Sequence, residues 1–138
     1  MKAFVYGTLK KGYGNHRLLE RASFLGEAYT DGTFDMLNSG FPVLVPNDNG
    51  HIVKGEVYEF SDHDILDSLD ALEGEGLMYD RREIHVVDNH GERHNVCVYI
   101  GNPKYWERSL SMKGKDITDT KYCVRANSGA VLYLEWGR

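Results

Sequence analysis

The sequence predicts a single α+β domain built around a curved, barrel-like mixed β-sheet with a few short helices. Segments typical of strands are numerous, whereas segments typical of helices are few. The strands and helices do not alternate as they do in βαβ units. A length of 138 residues suits one domain with one hydrophobic core. We therefore expect residues 1–138 to form one domain.

Strands are expected along most of the chain. They are predicted at residues 3–6, 24–34 (with a kink around Gly26), 41–45, 51–60, 82–88, 94–100 and 131–135. The third and fourth should form a hairpin, because the connecting Asn47-Asp-Asn-Gly50 ends in Asn-Gly, a strong hairpin signal. The fifth and sixth should form a second hairpin across Asn89-His-Gly91.

Two helices are predicted with defined ends. Asn15 is a candidate N-cap for a short helix that ends at Arg21. A longer helix covers residues 61–73, with Ser61 as its N-cap and Asp64 in the third position of a capping box. Its buried stripe is predicted to consist of Ile65, Leu66, Leu69 and Leu72. From residue 103 to residue 121 the pattern is weak and fits a short helix followed by a loop.

Composition and charge argue against several classes of function. The net charge of -5 disfavours a general role in binding nucleic acid or a membrane surface. No segment approaches the length of a membrane span, and the apolar run before Gly7 is too short for a signal peptide. Cys97 and Cys123 lie far apart and are expected to be reduced. The sequence therefore predicts a cytoplasmic protein.

Motifs for a cofactor, a metal or a protein nucleophile are missing from the sequence. Gly12-Tyr-Gly14 lacks the third glycine of a dinucleotide fingerprint. His90-Gly-Glu-Arg-His94 has the wrong spacing for a helical zinc motif, and its glycine belongs to a turn. Neither a Gly-x-Ser-x-Gly elbow nor a local signature of a catalytic cysteine is present. We expect no cofactor, no metal and no covalent intermediate.

Glu73 is the candidate catalytic residue. At about 100° per residue it falls between Leu66 and Leu69 on the apolar stripe, at the end of a helix that Gly74 terminates. Burial and the negative end of the helix dipole both disfavour the carboxylate, so both should raise its pKa. A carboxyl group with a raised pKa suits general-base catalysis near neutral pH. The alternative is a glutamate whose stem packs while its carboxylate bends out to water.

The loop Tyr6-Gly7-Thr8-Leu9 directly follows the first strand. Gly7 can adopt backbone angles that a side chain would forbid, so the neighbouring N–H groups can converge on an anion. The alternative is an ordinary turn. Tyr79 follows Gly74-Glu-Gly76, and its hydroxyl is placed to bind either Glu73 or a ligand; the alternative is that its ring simply packs.

Together these residues resemble the γ-glutamylcyclotransferase-like family, which includes AIG2-like and BtrG-like proteins. The resemblance covers roughly residues 2–100 and fades from Pro103 onward. Its ordered pieces are Phe4-Val-Tyr-Gly-Thr-Leu9, Gly55-Glu-Val-Tyr58, Leu69-Asp-Ala-Leu-Glu-Gly74 and Tyr79-Asp-Arg81. Two further pieces, Gly14-Asn-His-Arg-Leu18 and Phe41-Pro-Val-Leu44, are most similar to the γ-glutamylamine cyclotransferase branch.

The resemblance implies a reaction that converts a small γ-glutamyl amide to 5-oxoproline and a free amine, without a cofactor. It implies that Glu73 is the general acid/base and that the backbone from Tyr6 to Leu9 holds the glutamyl end. We also expect Tyr79 to contribute to substrate binding. Two alternatives remain. One is a related amide-cleaving lyase that acts on a different adduct. The other is a non-catalytic module that binds a small anion, against which an inward-facing Glu73 argues.

Overall fold

A closed five-stranded barrel forms the centre of the protein in this computed structural model, which describes residues 1–107 and 118–137. The strands are β1 (Lys2–Val5), β2 (Ser23–Thr30), β3 (Phe34–Asn38), β4 (Pro42–Pro46), β5 (Lys54–Glu59), β6 (Tyr79–Asp88), β7 (Arg93–Gly101), β8 (Cys123–Arg125) and β9 (Val131–Leu134). The barrel order is β1-β5-β2-β6-β7. Its pairs are antiparallel except for β1 with β7, which is parallel at Ala3 and Cys97. This architecture confirms the predicted α+β class with a barrel-like mixed sheet.

Two hairpins and a few short helices complete the described fold. Strand β3 pairs with β4, and β8 pairs with β9. The helix α1 (His63–Glu73) is joined by 3-10 helices at His16–Leu19 and Thr120–Tyr122. Residues 103–107 are also helical. In the described part of the chain, no helix has the length and apolar character needed to cross a bilayer.

The alternation of side chains along the barrel strands divides the hydrophobic core into two clusters. All five barrel strands contribute to one cluster, which fills the barrel interior around Phe4, Val57 and Val98. The other lies on the outer face of β1, β5, β6 and β7, where Val5 and Tyr58 meet the leucines of α1. Helix α1 is therefore packed against the outside of the barrel, next to the end of β1.

The structure corrects several strand predictions. The predicted hairpin between residues 41–45 and 51–60 is wrong, because β4 pairs with β3 while β5 pairs with β1 and β2. The turn itself forms, since the Gly50 N–H donates to the Asn47 carbonyl at 2.9 Å, but it leads into the barrel. Residues 24–34 form one strand that ends at Thr30, with Phe34 beginning another. The hairpin of β6 and β7 is confirmed.

The helix ends also differ from the predictions. Asn15 precedes a short 3-10 helix but makes no side-chain cap. Helix α1 is capped by Asp62 in place of Ser61, and the Asp62 side chain accepts from the Asp64 N–H at 2.8 Å. A short helix after Pro103 is present, whereas most of the loop predicted to follow it, residues 108–117, lies outside the described residues. The strand β8 was not predicted.

Candidate active site

One cavity of about 230 Å³ brings all six predicted site residues together. It lies where the end of β1, the C-terminal end of α1 and the beginnings of β4 and β6 meet. Its lining consists of Phe4, Val5, Tyr6, Gly7, Thr8, Leu9, Asn15, Phe41, Pro42, Leu72, Glu73, Met78, Tyr79 and Tyr99. Among these described lining residues, Glu73 is the sole acidic side chain, and lysine, arginine and histidine are absent. The cavity is therefore small, largely apolar and equipped with one carboxyl group.

Helix α1 delivers Glu73 to this cavity. Ile65, Leu66 and Leu69 are buried as predicted and fix the rotation of the helix. Leu72 does not belong to the buried stripe, since it is 40% exposed and lines the cavity. Gly74 ends the helix with left-handed backbone angles (φ 60°, ψ 50°), a conformation that favours glycine. The last helical residue, Glu73, consequently faces the cavity from the C-terminal end of the helix.

The environment of Glu73 favours its neutral form. Its side chain is partly buried, and desolvation raises the pKa of the carboxyl group from 4.5 to about 7. A carboxyl group buried in an apolar cavity gains protons more readily because its ionised form loses hydration. Near neutral pH, Glu73 can therefore both accept and donate a proton.

The loop after β1 provides polar backbone groups beside this carboxyl group. Gly7 does not have a positive φ, contrary to the sequence-based argument. It is favoured instead by close packing, since a Cβ at this position would lie 3.0 Å from Cγ of Pro42 and would require a small shift. Within the described residues, the backbone N–H groups of Gly7, Thr8 and Leu9 donate to no protein acceptor. These N–H groups are thus available to a ligand.

Two tyrosines flank Glu73 with their hydroxyl hydrogens already engaged. Tyr6 donates to the carbonyl of Tyr99 at 2.6 Å, and Tyr79 donates to the carbonyl of Pro42 at 3.2 Å. Burial raises the pKa of both phenols, and the nearby Glu73 charge raises the pKa of each further. Both groups are therefore neutral, and they present oxygen atoms that can accept hydrogen bonds. The ring of Tyr79 is buried and its hydroxyl donates to the Pro42 carbonyl, a partner that the sequence did not predict.

A polar network fixes the last turn of α1 against the barrel. Asp70, one turn before Glu73, accepts from the Tyr99 hydroxyl at 2.6 Å and from Arg81 at 2.5 Å. These contacts join α1 to both β6 and β7. The position of Glu73 is consequently set by packing on one side of the helix and by hydrogen bonds on the other.

Several lining residues were not identified as site residues from the sequence. Asn15 was considered as a helix cap and Pro42 as part of a strand, and both lie in segments of family resemblance, whereas Tyr99 carried no signal of its own. The helical residues after Pro103 reach the same region. There the Trp106 indole donates to the Met78 carbonyl at 2.8 Å, and its ring packs edge-on against Phe41. The contacts of Trp106 with Met78 and Phe41 join segments that are distant in sequence, and local patterns do not encode such contacts.

A separate cluster of potential metal ligands lies at the turn between β6 and β7. Among the residues the structure describes, Asp88, Glu92 and His94 place ligand atoms within 4.8 Å of one another. Two of the three already have protein partners: His94 contacts Asp88 at 2.8 Å and Lys2 at 3.0 Å, and Asp88 also caps the turn by accepting from two backbone N–H groups. None of the three lines the cavity.

Comparisons with known proteins identify the family to which this fold and cavity belong. The sequence profile described as "Gamma-glutamyl cyclotransferase, AIG2-like" matches residues 3–123. A gamma-glutamylaminecyclotransferase of Bos taurus is 43% identical over 94 aligned residues, and the alignment covers 61% of this chain and 55% of the bovine protein. The gamma-L-glutamyl-butirosin B gamma-glutamyl cyclotransferase of Niallia circulans is 33% identical over 105 residues, or 72% of this chain and 65% of that protein.

A solved structure extends the similarity to the whole fold. The crystal structure of an AIG2-like protein from Mus musculus superposes with a TM-score of 0.70 at 29% identity, covering 99% of this chain and 97% of the mouse chain. The family match thus spans the barrel, α1 and the cavity between them. The chain therefore belongs to the AIG2-like gamma-glutamyl cyclotransferase family of enzymes.

Proposed function

We propose that this protein is a cofactor-independent γ-glutamyl(amine) cyclotransferase, which converts a γ-glutamyl amide to 5-oxoproline and a free amine. Glu73 is the general acid/base in this proposal, and residues 1–138 act as one domain. The observation that carries it is the carboxyl group of Glu73, with a pKa of about 7, in a small cavity that it shares with backbone N–H groups lacking an acceptor among the described residues.

The proposed reaction needs a proton acceptor and then a proton donor at the same place. The α-amino nitrogen of the substrate attacks its own δ-carbonyl carbon, so that a new C–N bond closes the five-membered lactam. The original amide C–N bond then breaks. Glu73 takes the proton from the attacking nitrogen and returns it to the departing amine, which leaves as a neutral molecule. A pKa near neutrality suits both half-reactions.

Correct orientation of the substrate supplies much of the rate. Well-oriented intramolecular attacks reach effective molarities of about 10⁵–10⁸ M. A cavity of about 230 Å³, roughly eight times the volume of a liquid water molecule, suits the folded glutamyl group. The amine portion would then project past the rim. The rigid attachment of α1 to β6 and β7 through Asp70 supports this role, because it fixes Glu73 relative to the bound substrate.

The glutamyl carboxylate is held by neutral donors in this proposal. The described lining offers no cationic side chain, so the backbone N–H groups of Gly7, Thr8 and Leu9 are its partners. Convergent backbone N–H groups bind anions well, and they also stabilise a developing oxyanion. The oxygens of Tyr6 and Tyr79, which can accept hydrogen bonds, suit the α-amino group.

The leaving amine is proposed to contact an adaptable rim. Phe41, Leu72 and Met78 supply apolar surface there, and Trp106 supports them from behind. The amine contributes only its nitrogen to the bond changes, so its binding site can vary without loss of mechanism. The names of the two relatives specify different γ-glutamyl compounds, a γ-glutamylamine and γ-L-glutamyl-butirosin B. This variation supports an amine-binding region that can differ between members of the family while the glutamyl end stays the same.

We place the reaction in the cytoplasm. The free thiol of Cys97 suits a reducing compartment. Fractionation of cells that produce the protein, followed by immunodetection in the cytosolic and membrane fractions, tests this placement.

The direct test of the proposed activity is a panel of γ-glutamyl amines, γ-glutamyl dipeptides and glutathione, each incubated with the purified protein. The expected result is equimolar release of 5-oxoproline and the amine from at least one γ-glutamyl amine. Amine release with glutamate in place of 5-oxoproline would mean that water attacks the amide, and would favour an amide-cleaving enzyme over a cyclotransferase. Saturable binding of 5-oxoproline with no turnover of any substrate would favour a binding module.

A further inference from the structure

Asn15 and Thr8 contact each other at the wall of the cavity. The Asn15 side-chain amide donates to the Thr8 hydroxyl oxygen at 2.9 Å, and the Asn15 backbone N–H donates to the Thr8 carbonyl at 3.1 Å. Asn15 stands at the position where an asparagine side chain ordinarily caps the following helix, yet it makes no such bond. Its side chain is committed to Thr8 instead.

This contact determines that the Thr8 hydroxyl can act as a hydrogen-bond donor to a ligand. The amide nitrogen is a donor only, so the Thr8 oxygen accepts from it and keeps its own hydrogen. Among the other hydroxyl groups in the described lining, Tyr6 and Tyr79 donate to backbone carbonyls and Tyr99 donates to a carboxylate. Within the described residues, the Thr8 hydroxyl hydrogen has no acceptor. Thr8 therefore offers the cavity a hydroxyl donor whose orientation Asn15 sets.

We propose that Asn15 is a positioning residue that holds the Thr8 hydroxyl as a hydrogen-bond donor to the carboxylate of the γ-glutamyl substrate, an inference that rests on the proposed function. The carboxylate is the strongest acceptor in the substrate, and the described lining provides no lysine, arginine or histidine to pair with it. Hydrogen bonds to an ionised acceptor are about twice as strong as those between neutral groups. A pre-oriented hydroxyl next to the N–H groups of the same loop meets this need.

A double-mutant cycle tests whether Asn15 acts through Thr8. The variants are Thr8→Val, Asn15→Ala and the double variant, and the readouts are KM, kcat and the Kd for 5-oxoproline. Thr8→Val should weaken 5-oxoproline binding by about 10-fold or more, because a bond to a charged group is lost. Asn15→Ala should weaken it by several-fold in the presence of Thr8 and should have little effect in the Thr8→Val protein. Additive effects would overturn the proposal.

A second ligand shows which substrate group Thr8 binds. The amide of 5-oxoproline keeps the lactam ring and its carbonyl but replaces the carboxylate with a neutral carboxamide. Thr8→Val should weaken binding of 5-oxoproline much more than binding of the carboxamide. Equal weakening of both ligands would contradict a contact with the carboxylate, and would assign Thr8 to the lactam oxygen or to the shape of the loop.

Conservative variants separate positioning from structural support. Thr8→Ser keeps the hydroxyl and should retain binding within a few-fold, and Thr8→Ala replaces Thr8→Val if the latter does not fold. Asn15→Asp replaces the donor with an acceptor that takes the Thr8 hydrogen, so it should be more harmful than Asn15→Ala. Full activity of Asn15→Asp would overturn the proposal. Asn49→Ala, the same change at an exposed turn residue, is the matched control.

Turnover and 5-oxoproline binding by the wild-type protein distinguish a failure of this inference from a failure of the proposed function. If it binds 5-oxoproline but releases none from any γ-glutamyl amide, the proposed function fails, and the same cycle still decides the Asn15–Thr8 contact from Kd values. If it turns substrates over and the cycle is additive, the proposed function stands and the positioning role is refuted. Absence of both turnover and 5-oxoproline binding refutes both.

Discussion

Replacing Glu73 with glutamine should stabilise the protein in a strongly pH-dependent manner. Desolvation raises the pKa of this carboxyl group from 4.5 to about 7. Below about pH 4 it is protonated in the folded and unfolded states alike. As the pH rises to about 7, the unfolded chain loses this proton while the folded protein retains it, so the free energy of unfolding falls. At about 1.4 kcal/mol per unit of pKa shift, the free energy of unfolding above pH 7 is lower by about 3 kcal/mol than it would be with an unshifted carboxyl group.

The Glu73→Gln variant avoids this cost because its side chain stays neutral. The difference in unfolding free energy between variant and wild type should grow by about 3 kcal/mol from pH 4 to pH 8, which corresponds to a rise in Tm of roughly 10 °C at pH 8. Urea unfolding at both pH values measures it. Glu59→Gln, at an exposed position of β5, serves as the matched control and should show no such growth. A stability difference for Glu73→Gln that stays constant between pH 4 and pH 8 would refute desolvation of Glu73.

Three further outcomes are expected. The value of kcat/KM should rise with pH and level off above about 7, since Glu73 must lose its proton to act as a base. A flat profile from pH 5 to pH 8 would contradict this role. Gly7→Ala should lower kcat/KM about tenfold with little change in Tm, because the added Cβ would press on Pro42 and shift the loop; unchanged kinetics would show that the loop position is not critical. Tyr79→Phe should raise KM more than it lowers kcat. It should also lower the free energy of unfolding by about 1 kcal/mol, because the hydrogen bond to Pro42 is lost. A selective loss of kcat would instead give Tyr79 a part in proton transfer.

Local patterns predicted those parts of the fold that depend on neighbouring residues. The β6–β7 hairpin and the end of α1 at Gly74 follow from turn and cap residues next to each element. The same kind of signal failed at Asn47-Asp-Asn-Gly50, where a turn forms but its two flanking strands pair elsewhere. Pairing of β1 with β5 joins residues more than fifty positions apart, and a turn dipeptide carries no information about such partners.

The same distinction applies to the candidate site. Helical spacing was sufficient to turn Glu73 toward the core, because a single helix contains the whole pattern. Pro42 and Tyr99 meet Tyr6 and Glu73 at the cavity across long sequence separations, so no local pattern identified them. Asn15 lies only seven residues from its partner Thr8, but its cap-like sequence position predicted a bond to the following helix instead. The argument for Gly7 singled out a cavity residue for the wrong reason, since its φ is not positive and the constraint on its size comes from close packing against Pro42.

The rate of 5-oxoproline formation by the Glu73→Gln variant is the measurement that tests the account most directly. Wild type, Glu73→Gln and Glu59→Gln are compared with one γ-glutamyl amine under single-turnover conditions, and 5-oxoproline binding is measured in parallel. We expect Glu73→Gln to lose at least about 10²-fold in rate while it binds 5-oxoproline within a few-fold of wild type. Glu59→Gln should match wild type in both. A Glu73→Gln variant that forms 5-oxoproline at close to the wild-type rate would contradict the assignment of Glu73 as the general acid/base.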